Sequence, residues 1–302
     1  MAEILQKDGT WTFDGDVLRL TPGRDRAVGL LRQALGELTV PLRALAGVSF
    51  EQGKKAGRLR LRLRDGADPL LLATGGRLTE PHDPYQLLVE PGRYGVAEYF
   101  VDEVRSALLL EQVSPDPVTE YLLPGPALPV SVSAGDGTAG FDGEHVRLEW
   151  NWKTEDSKAA GGPRTLALAD ITAVEWWPAV GLENGCLRFS VRGVSATTPP
   201  KYDPHAVELW GFKKDPLMAL VAAAVQARLP HPAAPAAPQG GGQAGRRAVE
   251  AAGPEVPGQR APVEDDHDAL LRRLRELGEL HRAGVLTEEE FALAKQAVLK
   301  RM

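Results

Sequence analysis

Gly135, Gly137 and Gly140 stand in the run Gly135-Asp136-Gly137-Thr138-Ala139-Gly140, which has the G-x-G-x-x-G spacing of a dinucleotide phosphate loop. That chemistry needs a strand before the loop and a helix after it, because the helix N-terminus receives the phosphate. Here Glu144 to Trp152 reads as a second strand, so the glycines are read as turn residues. Asp14, Asp16 and Asp142 bring carboxylates together, but without the spacing of an EF-hand loop. Asp-Gly turn chemistry accounts for them. His82, His145, His205, His231, His267 and His281 are scattered, with no pair at the spacing of a zinc site on one helix. No G-x-S-x-G elbow and no P-loop occurs. The single cysteine, Cys186, leaves no internal disulfide and no cysteine-based zinc site, and is read as a small buried strand residue. No catalytic, cofactor or metal site is therefore expected, and the chain is read as non-enzymatic.

Two groups of side chains could bind a partner. Lys54, Lys55, Arg58, Arg60, Arg62 and Arg64 form a basic loop and strand, a candidate surface for an anion such as a lipid head group. The blander alternative is a solvated sheet face with carboxylates across the strands. The second group is aromatic. Trp177 and Trp210 fall out of phase with the apolar residues around them, and Lys213 and Lys214 follow Trp210. Exposed aromatics beside lysines mark partner surfaces, whereas rings packed between domains are the alternative. Trp150 and Trp152 share a strand face with Val146 and Leu148 and are assigned to the core.

The elements that carry these residues occur twice. Residues 8–20 read DGTWTFDGDVLRL and residues 136–148 read DGTAGFDGEHVRL. Gly57 to Arg64 then matches Gly185 to Arg192, and Asp83-Pro84 matches Asp203-Pro204. Agreement in order, spacing and turn residues points to a duplicated domain. The Phe-Asp-Gly triplets at 13–15 and 141–143 place a tight turn between two strands. Alternation puts Leu59, Leu61 and Leu63 on one sheet face and the arginines on the other, and Leu187, Phe189 and Val191 repeat the inner set. Each copy ends in a helical pattern. Val96, Phe100, Val104 and Leu108 mark the first helix, and Leu217, Leu220, Val221, Val225 and Leu229 mark the second. Asp215 is the expected N-cap of the second, with Pro216 at its first position.

The expected fold is mainly β with α. Two tandem β-barrel or sandwich domains, residues 3–112 and 129–229, are each closed by a C-terminal helix and joined by a linker at 113–128. Residues 230–264, rich in Ala, Gly and Pro, are expected to be a disordered tether. Residues 265–302 are expected to form a small helical hairpin. Leu270, Leu274, Leu277 and Leu280 make an apolar stripe, Gly284 suits a C-cap, and Thr287 with Glu290 forms a capping box flanked by Leu286 and Phe291. Val298 continues the apolar face.

The FDG turns and the strand–helix order resemble an uncharacterised actinobacterial family with tandem pleckstrin-homology-like halves, over about residues 3–230. The resemblance implies a bent sheet capped by a helix, with no assigned activity. The G-x-L-T-x-E-E-F pattern at 284–291, with Leu274, Leu277, Leu280, Lys295 and Leu299, resembles the short C-terminal SHOCT domain, which implies an oligomerising or docking role.

The net charge of −6 over 302 residues argues against a nucleic-acid binder driven by overall charge. No apolar run is long enough to span a membrane, and the N-terminus lacks a secretory pattern, so a cytoplasmic location is expected. The expected role is that of an adaptor with a protein partner or with itself, as a homo-oligomer through the hairpin. Peripheral binding to anionic lipid is the alternative, and an uncharacterised enzyme comes third.

Overall fold

The computed structural model describes residues 1–195 and 198–234. The rest of the tether and all the hairpin residues named above, from Leu270 to Leu299, lie outside the described residues.

Alternating apolar residues build each repeat from two antiparallel sheets. In the first repeat, β1 (Ala2–Leu5), β2 (Gly9–Phe13), β3 (Val17–Pro22) and β4 (Leu38–Pro41) pair in chain order. The second sheet holds β5 (Leu45–Glu51), β6 (Gly57–Leu63) and β7 (Gln86–Val89). Helix α1 (Leu30–Leu35) joins β3 to β4, α2 (Pro69–Thr74) lies between β6 and β7, and α3 (Tyr94–Leu110) closes the repeat. The second repeat follows the same plan. Strands β8 (Val130–Ala134), β9 (Gly137–Phe141), β10 (His145–Trp150) and β11 (Arg164–Ala167) form one sheet. The other is formed by β12 (Ile171–Trp177), β13 (Gly185–Val191) and β14 (Ala206–Leu209). Helix α4 (Asp156–Ala159) lies between β10 and β11, and α5 (Met218–Gln226) closes the chain's second copy.

Small irregularities are duplicated too. A register shift falls between Leu45 and Gly47 in one repeat and between Ile171 and Ala173 in the other. The FDG turns are superimposable in their chemistry. Asp14 Oδ1 accepts from the amides of Asp16 and Val17, and Asp142 Oδ1 accepts from those of Glu144 and His145. Gly15 and Gly143 both have φ of 116°, a value open to glycine and strained for other residues. These backbone bonds hold both carboxyls below the usual range.

The two closing helices differ in how much of their surface is covered. Helix α3 buries Ala97, Phe100, Val101 and Val104 and exposes Tyr99. Helix α5 is buried at every residue from Met218 to Gln226. Its sequence, MALVAAAVQ, is apolar nearly all round, which is the composition of a helix with neighbours on every side. Those neighbours include the first repeat. Leu31, Leu70, Ala73 and Leu78 belong to the same buried cluster as α5 and the inner faces of the second repeat. The repeats thus pack on each other through α2 and α5, a point the sequence had left open. The linker is pinned to the first repeat: the amides of Leu122 and Leu123 both donate to the Ala67 carbonyl, and Val118 and Leu123 enter the first core.

Asp215 departs from expectation. Its carboxylate turns back onto the loop before it, where Oδ2 accepts from the amides of Trp210, Gly211 and Phe212. Residues 215–217 form a 3-10 turn, and no side chain caps it. Three amides converging on one oxygen outweigh the two that a cap would supply.

Among the described residues no helix is long and apolar enough to cross a membrane.

Candidate functional site

The repeated Asp8 and Asp136 open the strand-turn motif of each copy, and both anchor one sheet to the other. Asp8 Oδ2 accepts from the amide of Leu88, and Asp136 Oδ1 accepts from that of Glu208. The other oxygen of each meets a buried cation from the connector between the third and fourth strands. Arg32 Nη1 lies 2.8 Å from Asp8, and Lys158 Nζ lies 2.6 Å from Asp136. Lys158 also donates to the Pro200 carbonyl and sits 4.4 Å from the Trp150 ring centroid. Burial pushes the Asp136 carboxyl up, and Lys158 opposes that shift. Sequence reasoning missed both pairs. The aspartates were visible as repeated residues, but their partners lie on α1 and α4, which share no motif. Both aspartates are fully engaged by structure, so these are staples and not reactive centres. Cys186 is likewise enclosed, and burial pushes its thiol up to about 12, far from a reactive thiolate.

The tryptophan group divides. Trp150 is half-buried against the core and donates from Nε1 to the Gly162 carbonyl. Trp152, assigned to the core by alternation, is 89% exposed. Strand β10 ends at Trp150, and the chain turns at Asn151, whose Nδ2 donates to Gly135 and whose Oδ1 accepts from Lys153. Period two ends with the strand, so the ring is carried out into solvent.

Trp152 there joins a cluster. Lys153 Nζ lies 5.4 Å from the Trp152 ring centroid and 5.2 Å from those of both Trp210 and Phe212. Trp210 and Phe212 meet edge to face at 5.9 Å. Asp215 fixes the loop that carries them, and Trp210 Nε1 donates to Glu208. Phe212, Lys213 and Lys214 are exposed. The hairpin at 178–184 packs beside Gly211 through Ala179 and adds exposed Val180 and Leu182. Trp177 is half-buried, with the Arg188 guanidinium 5.6 Å from its ring centroid. The sequence thus located Trp210, Lys213 and Lys214 on this rim but missed Trp152, Lys153 and Phe212. The rim is concentrated in three loops, an arrangement period counting does not capture.

The basic group is dispersed by its own partners. Lys54 and Lys55 are exposed, and Arg58 pairs with Glu80 at 3.3 Å. Arg64 donates to the carbonyls of Asp116 and Arg43. Arg60, Arg62 and Arg64 line a groove of about 810 Å³ between the second sheet and α2.

A family model described as Domain of unknown function (DUF4429) matches residues 11–105 and 139–226, one match on each repeat. A second, the Short C-terminal domain or SHOCT model, matches residues 272–299. No curated protein matches the chain.

Proposed function

The chain belongs to the DUF4429 family and carries a SHOCT domain, and we propose that it acts as a non-enzymatic adaptor. In this reading the paired pleckstrin-homology-like repeats form one rigid body. The rim of the second repeat recognises a protein partner, and the C-terminal hairpin multiplies the rim by self-association.

The observation that carries the reading is the cluster of exposed Trp152 and Phe212 with half-buried Trp210 around Lys153. Tryptophan and other aromatics dominate binding energy at protein interfaces, because rigid rings bury much area at low entropic cost. Lys153, Lys213 and Lys214 favour an acidic segment with apolar residues as the partner. Asp215 holds the loop before any partner arrives, which reduces the ordering cost of binding.

A photo-crosslinking amino acid in place of Trp152 tests the reading in cells. A crosslinked protein of discrete mass, lost when Phe212→Ala and Lys153→Glu are added, is the expected result. Crosslinks unaffected by those changes, or none, would overturn the rim as the recognition surface. The lipid reading lacks comparable support, since Arg58 and Arg64 are already paired.

A further inference from the structure

The outer faces of the two second sheets differ in what covers them. In the second repeat, β12 sets Glu175 opposite Arg188 and Trp177 opposite Cys186. Arg188 is closed in by Asp203 at 3.0 Å, by the Thr198 carbonyl at 2.7 Å and by the Trp177 ring. In the first repeat the same strand position is Arg60, and the residue opposite is Ser49. Gly47 stands opposite Arg62. Ser49 therefore replaces the carboxylate of Glu175, and Gly47, like its counterpart Ala173, is small, so the space above Arg60 and Arg62 stays open. Helix α2 forms the far wall with Leu71, Leu72 and Gly75. The resulting volume of about 810 Å³ lies within the range of about 300–1,000 Å³ typical of small-molecule sites.

The polar groups of this groove are unequally engaged. Asp68 accepts from the amides of Leu70 and Leu71 and from the Tyr85 hydroxyl. Asp83 accepts from the Tyr85 amide and from Gln86. The arginines make fewer hydrogen bonds, although the Asp83 carboxylate acts electrostatically on Arg60. Arg60 Nε is buried with no hydrogen-bond partner among the described residues. Among the described residues Arg62 donates to the Ala46 carbonyl, at 3.4 Å. A buried donor without an acceptor costs free energy that an anion would recover. Adjacent guanidinium forks match the oxygens of a carboxylate or phosphate, and the leucines of α2 offer an apolar wall beside them.

We infer that this groove binds an amphipathic anion, with its carboxylate or phosphate on Arg60 and Arg62 and its hydrocarbon chain along Leu71 and Leu72. The site belongs to the first repeat alone and is independent of the aromatic rim.

Calorimetric titration of the full chain with decanoate and with decyl phosphate tests it, with decanol and acetate as controls. Decanoate or decyl phosphate should bind one to one, and the tighter of the two assigns a fatty acid or a phosphate ester as the source. Decanol and acetate should each bind at least about tenfold more weakly, since head and chain both contribute. Arg60→Gln with Arg62→Gln should weaken binding by about tenfold or more. Gly47→Leu fills the groove beside Arg62 while leaving both guanidinium charges in place. A Cβ there would meet nothing nearer than Arg62 Nη2 at 4.0 Å, so the protein should fold normally and lose binding. Equal binding of decanol and decanoate would overturn the inference, as would undiminished binding by Gly47→Leu. An equal loss from Lys54→Gln with Lys55→Gln would place the anion on the diffuse basic face instead. No binding of either probe at about 1 mM would also overturn it.

Discussion

At the scale of single residues, the first repeat and the second solve the same problem with different cations. Arg32 and Lys158 each bring a buried positive charge to a repeated aspartate. Removing one member of such a pair leaves the other charge uncompensated, at a cost of about 3–5 kcal/mol. Lys158→Met should destabilise the protein by that amount in urea unfolding, and adding Asp136→Asn should recover part of it. Full additivity of the two changes would show that the pair is not coupled. Asp68 presents a different balance. It caps α2 and accepts from Tyr85, yet its burial pushes its pKa above the usual carboxylate value. Asp68→Ala removes the cap, worth about 0.5–2 kcal/mol, and leaves a buried hydroxyl unpaired, worth about 1–3 kcal/mol. Asp68→Asn keeps an acceptor for both and should cost less. The sign of the pH effect follows from the raised pKa. The folded state holds the Asp68 proton more tightly than the unfolded state, so this contribution is fully present below the unfolded value of 3.8. It is lost as pH rises through the folded pKa. The stability of the native protein relative to Asp68→Asn should therefore fall between acid and neutral pH, and a rise over that interval would contradict the assignment.

At the scale of elements, the sequence was most legible where one local rule acted alone. The FDG turns, the Leu/Arg strand and the closing helices all follow from turn chemistry and apolar period, and they stand where those rules put them. Legibility failed where an element ended or met another. Alternation carried Trp152 into the core because it could not register that β10 stops two residues earlier. Asp215 had the type and position of a helix cap, but the three amides of the preceding loop compete for the same oxygen. The stripe on α5 was visible, yet the alanines between its larger residues were equally informative. Ala219, Ala222, Ala223 and Ala224 are all buried, and small side chains let a second helix approach closely. That second helix is α2, so the junction between the repeats is testable at one residue. Leu70 on α2 is 3% exposed within the shared cluster. Leu70→Asp places a charge there and should lower the unfolding midpoint of the second repeat, followed through its buried Trp176. Tyr99→Asp, on the exposed side of α3, should stay within about 0.5 kcal/mol of the native protein. An unchanged midpoint for Leu70→Asp would mean the two repeats fold independently.

At the scale of the whole molecule, the packed pair of repeats and the C-terminal SHOCT segment make different demands on stability. The pair has two large buried clusters, one of them drawn from both copies. The SHOCT segment is short, and fewer than about 40 residues without disulfide or metal seldom fold alone. If the sequence pattern forms the expected hairpin, Leu270, Leu274, Leu277 and Leu280 in its first half, with Leu286, Phe291 and Val298 in its second, would be more apolar residues than two short helices could cover between them. Burying one leucine contributes about 1.5–3 kcal/mol, so several uncovered leucines favour association with another copy. A stretch of Ala, Gly and Pro of the composition found before this segment would let two copies meet without fixing the geometry of the repeats. Each rim would then act at the effective concentration set by that stretch, which raises avidity without new contacts. The expected outcome is a full-length chain larger than a monomer in light scattering after size exclusion, and a folded monomer once residues 265–302 are removed. Leu274→Asp with Leu277→Asp should reproduce the truncation, because a carboxylate cannot enter an apolar seam without a large desolvation cost. A full-length monomer at tens of micromolar would exclude self-association and leave the hairpin to a different partner. A multimer that survives the truncation would move the interface onto the repeats, where the exposed Trp152 and Phe212 would be the first residues to change.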